Sequence, residues 1–512
     1  MDIVVDVAQF IVNEILDVPA FLVGIITAIG LIALRRSSGK VIGGALKATL
    51  GFLILGAGAG VVVSALDPLG AMILGATGAQ GVVPTNEAIV SIAQADFGAQ
   101  VAWVMIIGFA LSILLARFTP LRYVFLTGHH VFFMATMLTV VLAAADMDSF
   151  VLVVAGSILL AVIMVVMPAF AQPWTRKVTG GDTIAMGHFG SLGYIAAGAT
   201  GQAVGRTSKS TEDMKLPESL RFLRDSMVAT ALSMVLFYVI FSIAYLVRVG
   251  SEEAYALFGS ADAGNYFVTS IMQGLMFGVG VAVILFGVRT ILGELVPAFQ
   301  GIAERVVPGA KPALDCPIVF PYAPNAVLIG FISSFVGGLA SLGLLAWVFG
   351  PAFGLALILP GMVPHFFTGG AAGVYGNATG GRRGAMLGAF VNGVLITFLP
   401  AVLLTVLGSL GFANTTFGDA DFGWYGIVVG NAVKAGPVGG VIILGLIAAA
   451  LVTAASIFQK RVVDRGWTPG ARRDAYLATE AQAVTAAEAS TTNEELTTSA
   501  TGDGGRDATV GG

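Results

Sequence analysis

The stretch YVFLTGHHVFFMATMLTVVLAAADMDSFVLVVAGSILLAVIMVVMPAFAQ, residues 123–172, decides the fold of this chain. It holds two apolar runs, 123–145 and 149–172, and only a short acidic turn with Asp148 separates them. A run of about 20 apolar residues is long enough to cross the hydrocarbon core of a bilayer as a helix. The stretch therefore predicts two consecutive transmembrane helices joined by a tight turn.

The composition extends this prediction to most of the chain. Of the 512 residues, 56% are hydrophobic and 11% are charged, and the mean hydropathy is +0.90. Soluble domains carry about 25% charged residues. The sequence thus predicts an all-α polytopic membrane protein. The first residues are amphipathic and acidic and lack the pattern of a cleaved signal peptide, so we expect the first span to be retained.

Apolar runs predict about eleven transmembrane helices. The predicted spans are 18–34, 41–66, 98–116, 123–145, 149–172, 227–247, 266–288, 326–349, 351–378, 384–411 and 436–458.

The basic residues predict the orientation of these spans, because Lys and Arg favour cytoplasmic loops. Alternate loops are basic, and acidic residues such as Asp146, Glu252, Asp419 and Asp421 fall in the loops on the other side. We therefore expect the N-terminus outside and the C-terminus in the cytoplasm of a bacterial cell, with the chain in the cell membrane.

Four segments are too interrupted by Gly and Pro to be simple spans, and they lie two on each side of a basic linker, 205–225. Irregular backbone at membrane depth is tolerated where it lines a cavity, and broken helices build substrate sites in transporters. We predict re-entrant segments and two structural halves, without a clear residue-level repeat. The re-entrant candidates are 68–93, 182–204, 312–325 and 360–380.

The chain after residue 460 differs in composition. Residues 466–512 contain seven acidic and three basic residues and few large apolar ones. We predict a transmembrane transport domain at 1–460 and a cytoplasmic tail at 461–512 that is disordered after a short helix.

All four histidines lie in stretches that otherwise resemble membrane interior. An ionisable group at that depth is costly and marks a candidate functional site. We predict roles for His129 and His188, with a structural hydrogen bond between helices as the alternative for His129. His130 is expected to face away, since adjacent helical residues point about 100° apart. His365 is expected to pack in the core.

Carboxylates supply further candidates. Asp315 is alone in the segment PALDCPIVFPYAPN, so it either accepts hydrogen bonds from a ligand or caps the following half-helix. Glu87, with Asn86 beside it, either contacts a substrate or faces water. Lys47 and Arg289 are expected to extend to the cytoplasmic interface.

These features favour a transporter and exclude some other classes. The chain lacks the G-x-x-x-x-G-K-[ST] motif, and nothing in it predicts nucleic acid binding. We expect no cofactor and no bound metal, because the histidines are scattered. The single cysteine, Cys316, excludes an intrachain disulfide and is expected to pack in the core. A scaffold or receptor without transport would leave the broken helices and buried ionisable groups without a purpose.

Four motifs resemble one known family. They are GGALKATLGFLILGAGAG at 43–60, LRYVFLTGHHVFFMA at 121–135, IAMGHFGSLGY at 184–194, and GVRTILGELVPAFQGIAERVVPGAKPALDCPIVFPYAPNAV at 287–327. In order and spacing they are similar to the membrane component, IIC, of the ascorbate family of the bacterial phosphoenolpyruvate-dependent phosphotransferase system. The resemblance covers residues 1–460.

This resemblance implies a homodimer whose protomers have a scaffold domain and a mobile core domain that moves as an elevator. It implies that L-ascorbate is bound by the core and phosphorylated by a separate cytoplasmic IIB protein, which IIA charges. The permease itself would not be an enzyme. A proton-coupled secondary transporter of a sugar acid, with His129, His188 and Asp315 as relay groups, is the alternative.

The resemblance also implies a substrate site. A studied branch of the family has Thr-Tyr where this chain has Asn86 and Glu87, and His and Gln where it has His129 and Phe133. It has His-Gln where this chain has His188 and Phe189, and Asp at Asp315. The predicted substrate-binding residues are therefore Asn86, Glu87, His129, Phe133, His188, Phe189 and Asp315. Because the Tyr and both Gln are replaced, the implied substrate is L-ascorbate or a related sugar acid or polyol.

Overall fold

Long apolar helices form most of the structure, a computed structural model that describes residues 18–215 and 225–480 together with residue 482. In this part of the chain, eight helical segments are long and apolar enough to cross a membrane, and two shorter apolar helices accompany them. The predicted all-α polytopic membrane fold is confirmed. The count of eleven spans and the elevator motion stay predictions.

The helices fall into two sets on either side of the linker. The first set is α1 Pro19–Ala33, α2 Ser38–Thr77, α3 Asn86–Phe118, α4 Gly128–Ala143, α5 Ser149–Thr179 and α6 Ser191–Val204. The second set is α7 Ser226–Val249, α8 Ala263–Val306, α9 Pro324–Leu344, α10 Gly370–Leu403, α11 Ala420–Ala432 and α12 Gly436–Phe458.

Two predicted spans differ from the structure. Span 351–378 is not one helix, because Gly354 adopts a positive φ of 67° and the chain is extended at Leu357–Ile358 before helix resumes at Met362. Its second part joins span 384–411 within α10, which bends at Gly381. There φ is 56°, and an added Cβ would lie 2.3 Å from the Lys209 carbonyl oxygen, so only glycine fits.

Within residues 18–215 and 225–480, six short strands that the sequence did not predict form two small parallel sheets. The strands are β1 Gly81–Pro84, β2 Tyr123–Phe125, β3 Ala185–Met186, β4 Lys311–Leu314, β5 Leu357–Ile358 and β6 Thr415–Thr416. One sheet has the order β5-β1-β6, and the other has the order β2-β4-β3. Strand pairing provides hydrogen bonds for the backbone N–H and C=O groups of the broken segments. Within a membrane these groups need partners in the protein, because no water is available to them.

The two halves of the chain exchange these strands. β1 of the first half lies between β5 and β6 of the second, and β4 of the second half lies between β2 and β3 of the first. The order of elements also repeats: a central strand, a long helix, a strand, two helical arms, a strand and a short helix. The two arms are α4 and α5 in the first half and the two sides of the Gly381 bend in the second. The predicted division into two halves thus has a structural counterpart.

Glycines allow the closest helix contacts. Gly51 and Gly58 on α2 face Gly287 and Gly280 on α8, and an added Cβ on Gly51 would lie 2.8 Å from the Gly287 carbonyl oxygen. Small residues permit such close backbone approach in membrane proteins. α2 and α8, with α7 beside them, therefore form one tightly packed group, while α6 and α9 pack on α10 in another.

The packed body continues beyond residue 460. Arg176 donates to the Val463 carbonyl oxygen at 3.1 Å, Lys177 pairs with Asp474 at 2.5 Å, and the Arg473 Nε donates to the Ser208 carbonyl oxygen at 2.9 Å. Residues up to 480 thus attach to the end of α5 and to the linker. The predicted disorder concerns residues that lie largely outside the described ones.

Nearby, the loop after α5 is fixed by a charge network. The Asp182 carboxylate accepts from Lys311 Nζ at 2.6 Å and from Gln172 Nε2 at 2.7 Å. Burial alone would raise the pKa of Asp182, but these hydrogen bonds hold it below its ordinary value. Since Lys311 begins β4, this network anchors the start of the second sheet.

Candidate functional site

The carboxyl ends of the six strands converge on one cleft of about 530 Å³. The residues that follow β1, β2, β3, β4 and β6 supply its polar lining, and Val363 and Pro364 after β5 supply apolar lining. In parallel sheets the carboxyl ends of strands are a common place for ligand sites, since loops and helix N-termini gather there. The polar lining consists of Asn86, Glu87, Thr127, His129, His130, His188, Asp315, Asp419 and, from α8, Arg289.

Helix starts also point to this cleft. α3 begins at Asn86 and α4 at Gly128, and α6 begins three residues after His188. The N-terminal end of a helix carries partial positive charge and free N–H groups. The cleft therefore favours a ligand with an anionic or electron-rich group.

His188 is held with a defined orientation at the end of β3. Its Nδ1 accepts the backbone N–H of Gly190 at 3.0 Å and lies 2.8 Å from the Tyr194 hydroxyl. Because a backbone N–H can only donate, the proton of the neutral imidazole resides on Nε2. That Nε2 lies 3.8 Å from Asp315 Oδ1. His188 therefore presents an N–H donor to the cleft.

His130 has a similar arrangement deeper in the cleft. Its Nδ1 accepts the backbone N–H of Phe189 at 3.4 Å, and its Nε2 lies 4.0 Å from Asp419 Oδ2. The His130 and His188 rings are 3.8 Å apart between centroids. Both His129 and His130 line the cleft, so the expectation that only one could face it is wrong. The reason is that both sit in the first turn of α4, around which the cleft wraps.

His129 and Asp315 occupy the open end of the cleft. The His129 Nε2 lies 3.5 Å from Asp315 Oδ2, and the two side chains are 34% and 38% exposed. Asp315 Oδ1 also accepts the Cys316 N–H at 2.7 Å. The capping role and the ligand role predicted as alternatives for Asp315 are compatible, because Oδ2 remains available to a ligand.

The inner end of the cleft is rich in acceptors. Asn86 Nδ2 donates to Asp419 Oδ2 at 2.8 Å, and Asn86 Oδ1 accepts the Gly418 N–H at 2.8 Å. Glu87 is only 6% exposed, and its Oε2 has no hydrogen-bond partner within the described residues. A buried carboxylate oxygen without a partner is costly. A ligand hydroxyl that donates to Glu87 would remove this cost.

The two phenylalanines at the replaced positions differ in their placement. Phe133 lines the cleft, with its ring 5.7 Å from the His129 ring. Phe189 does not line it, because its fully buried ring stacks on Phe125 at 4.7 Å and lies 5.6 Å from the Phe422 ring. Phe189 contributes to the site through its backbone N–H, which donates to His130 Nδ1.

Two other predicted packing residues lie outside the cleft lining. His365 is buried, and its Nδ1 lies 2.8 Å from the Ser334 hydroxyl. Cys316 is fully buried, with Sγ 3.8 Å from the Phe367 carbonyl oxygen. Both positions agree with the packing roles expected of them.

The prediction that Asp419 and Asp421 lie in an acidic loop between spans is wrong, because both are buried. Asp419 is 3% exposed and lines the cleft. Asp421 is fully buried and accepts the N–H groups of Ser191 and Leu192 at 2.9 and 3.0 Å and the Trp424 Nε1–H at 3.0 Å. Asp421 thus accepts hydrogen bonds from the free N–H groups at the start of α6. The sequence TTFGDADFG at 415–423 contains Gly residues within an apolar region, as the other broken segments do. This pattern could have predicted that both aspartates are buried.

The cleft brings histidines and carboxylates close enough to consider a metal. His130, His188 and Asp419 form one such group, and His129, His130 and Asp315 another, with ligand atoms within 4.8 Å of one another. A metal needs a free lone pair on the coordinating nitrogen. The backbone N–H groups at Nδ1 keep the proton on Nε2 of His188 and His130. The donor set therefore favours hydrogen bonding to a ligand over metal coordination.

Comparison with known proteins places the chain among sugar permeases. Residues 14–421 match the model of a family described as the sugar-specific permease component of the PTS, or phosphotransferase system. A curated relative, the ascorbate-specific PTS system EIIC component of Mycoplasma pneumoniae, is 29% identical over 425 residues. The match covers 74% of this chain and 64% of that relative, so the chain spans less than two thirds of the relative's length.

Proposed function

The chain belongs to the family of sugar-specific permease components of the phosphotransferase system, and on this premise we propose that it binds L-ascorbate or a closely related sugar acid or polyol. The proposal also rests on the relative that is named ascorbate-specific. We propose Asn86, Glu87, His129, Phe133, His188 and Asp315 as the substrate-binding residues, with Asp419 added and Phe189 acting through its backbone.

The observation that carries this proposal is the distribution of donors and acceptors in one cleft. His188 directs an N–H toward the cleft beside Asp315, and Glu87 offers an unpaired carboxylate oxygen at the inner end. A sugar acid needs both, since its acidic oxygens accept hydrogen bonds and its hydroxyl groups donate them. Phe133 supplies an apolar wall against the carbon skeleton.

We propose that phosphorylation of the substrate depends on separate IIB and IIA proteins. In the family that the sequence resembles, the residue of IIB that accepts the phosphoryl group is a cysteine. The only cysteine of this chain, Cys316, is fully buried and does not line the cleft, so it has no access to a phosphoryl donor. The permease itself then performs no chemical step, and a cytoplasmic IIB protein delivers the phosphoryl group to the substrate. We propose a transport domain at about 1–460 with the C-terminal end in the cytoplasm. When the cleft opens to the cytoplasm, IIB can reach the bound substrate.

We also propose that translocation involves relative motion of two helix groups within a homodimer. One wall of the cleft comes from α8, which packs on α2 and α7, and the other walls come from the strand ends and from α4. A substrate bound between two separately packed groups can be released when one group moves, as an elevator requires. The N-terminus outside the cell and the re-entrant character of the broken segments belong to the same proposal.

Reconstituted transport tests the proposal. The purified chain in liposomes is given labelled L-ascorbate with purified IIA and IIB, phosphoenolpyruvate and the general phosphotransferase proteins. We expect phosphorylated ascorbate to accumulate only when IIB carries its cysteine. A matched reaction with a IIB cysteine-to-serine variant should show binding without accumulation. Equal accumulation with and without IIB would contradict the proposal.

One observation favours the proton-coupled alternative enough to test it. Glu87 and Asp419 are buried carboxylates of the same cleft, and Asp419 Oδ2 lies 4.0 Å from His130 Nε2, an arrangement that can carry protons in transporters. A protonophore added while phosphoenolpyruvate is held constant should leave initial uptake nearly unchanged if IIB drives accumulation. Immediate loss of uptake would favour the proton-coupled transporter.

A further inference from the structure

We propose that Arg289 selects anionic substrates at the open end of the cleft, an inference that rests on the proposed function. The sequence predicts that Arg289 extends to the cytoplasmic interface. In the structure it lines the same cleft as His129, Asp315 and Glu87. Its role in substrate choice therefore follows from its position in the folded protein.

Arg289 is the polar member of an otherwise apolar helical wall. Residues 285, 288, 289, 292 and 293 of α8 line the cleft, and their spacing is that of one helix face. The other four are Leu, Val, Leu and Gly. Among these five lining residues, Arg289 supplies the only charge that a ligand meets.

The charge of Arg289 is available to a ligand. No hydrogen bond or ion pair to Arg289 occurs among the residues that the structure describes, and its side chain is exposed. The group lies near enough to His129 for the two to interact electrostatically. Asp315, the carboxylate closest to His129, instead lies between His129 and His188. An anionic group entering the cleft would thus meet both the guanidinium group of Arg289 and the N–H of His188.

Arginine is well suited to this task. Its guanidinium group stays charged and offers a planar set of donors that matches two neighbouring oxygens, such as those of a carboxylate or of an ene-diolate. Since the side chain is exposed, solvent and salt weaken the interaction. The effect should therefore be moderate and sensitive to salt, and it should depend on the charge of the ligand.

A pair of ligands separates charge recognition from shape recognition. L-Ascorbate is an anion at neutral pH, whereas L-gulono-1,4-lactone has the same ring and side chain but lacks the acidic ene-diol. Affinities for both are measured on the full-length protein by calorimetry at low and high salt. The variants are Arg289→Gln, Arg289→Lys and, as the charge-matched control, Arg117→Gln, which removes an exposed cation outside the cleft lining.

We expect Arg289→Gln to weaken ascorbate binding about three- to tenfold at low salt and less at high salt. Lactone binding should change less than twofold, Arg289→Lys should retain part of the affinity, and Arg117→Gln should match the wild type. Equal losses for both ligands, or no loss for ascorbate, would overturn the role of Arg289 alone. A wild-type protein that binds neither ligand would overturn the proposed function, and this role with it.

Discussion

At the scale of single residues, the site depends on how imidazole nitrogens are used. His188 and His130 each receive a backbone N–H at Nδ1, so each directs Nε2–H into the cleft. The sequence predicted the importance of His129, His188 and Asp315 from the cost of ionisable groups in membrane interior. It could not predict the tautomers, because these are set by the backbone of Phe189 and Gly190.

The orientation of His188 leads to a prediction that distinguishes two amides. In His188→Gln the side-chain amide reaches the region of Nε2 and keeps a donor in the cleft, whereas in His188→Asn the amide replaces Nδ1. We expect the Gln variant to bind ascorbate within about tenfold of the wild type and the Asn and Ala variants to lose about ten- to a hundredfold. Calorimetry measures the affinities. Better binding by the Asn variant than by the Gln variant would show that Nδ1, and not Nε2, contacts the ligand.

Phe133 and Phe189, which stand where the studied branch of the family has Gln, lead to a second prediction. Phe133→Gln adds a donor and an acceptor to the cleft lining and should tighten ascorbate binding if ascorbate is not yet the preferred substrate. Phe189→Gln instead buries an amide among aromatic rings and should cost about 1–3 kcal/mol of stability. Thermal unfolding and calorimetry on both variants test this. Tighter binding by Phe189→Gln, without loss of stability, would contradict the placement of its ring.

At the scale of elements, the short strands explain why the broken segments were only partly predictable. Gly and Pro in these segments predicted interrupted helices, yet residues 68–77 continue α2 through Pro68. Strands such as Ala185–Met186 are too short to leave a period-2 pattern. α11 was missed because its 13 residues are fewer than a span needs, so Asp419 and Asp421 resembled an exposed loop. Their burial depends on contacts with residues more than two hundred positions away.

Asp421 leads to a prediction about α6. Asp421→Asn places an amide N–H opposite the Ser191 or Leu192 N–H and should lower both the melting temperature and substrate affinity, because α6 follows the His188 loop directly. Asp148→Ala is the control, since Asp148 caps α5 through Phe150 and Val151 outside the cleft lining. We expect it to cost about 1 kcal/mol of stability without weaker binding. Unchanged affinity in a destabilised Asp421→Asn variant would show that the cap and the site are independent.

The C-terminal segment leads to a fourth prediction. Truncation after residue 482 keeps the contacts of Lys177 with Asp474 and of Arg473 with Ser208, and it should leave the melting temperature nearly unchanged. Truncation after residue 458 removes these contacts and exposes the Trp174 ring, which lies 5.8 Å from the Trp467 ring. We expect this shorter chain to melt several degrees lower. Equal melting temperatures would show that residues 459–480 add no stability.

At the scale of the whole molecule, the two halves are joined by exchanged strands rather than by packing alone. The cleft needs both sheets, because Asn86 and Asp419 follow one sheet and His129, His188 and Asp315 follow the other. Hydropathy predicted the membrane class, and the Gly- and Pro-interrupted segments on each side of the linker predicted two halves. The exchange itself leaves no local signal, since strand pairing across the chain is decided by tertiary contacts.

This arrangement predicts how a divided protein behaves. Residues 1–215 and 216–512 made as separate chains should each be unstable alone and should together bind ascorbate, because each central strand finds its neighbours only in the other chain. Co-expression followed by affinity purification of one tagged half measures recovery of the other. A version cut between α11 and α12, which keeps all six strands in one chain, is the control for nonspecific loss. A half that is stable without its partner would show that the halves do not depend on the exchanged strands for stability.

The same exchange orders events during synthesis. A ribosome completes β1 long before it reaches Leu357 and Thr415, the residues that pair with Gly81 and Val83. Until then the backbone groups at both edges of β1 lack these partners, a costly condition within a lipid phase. The nascent first half must therefore shelter β1 near water, at the translocation machinery or under a chaperone, and maturation of the cleft waits for the last third of the chain.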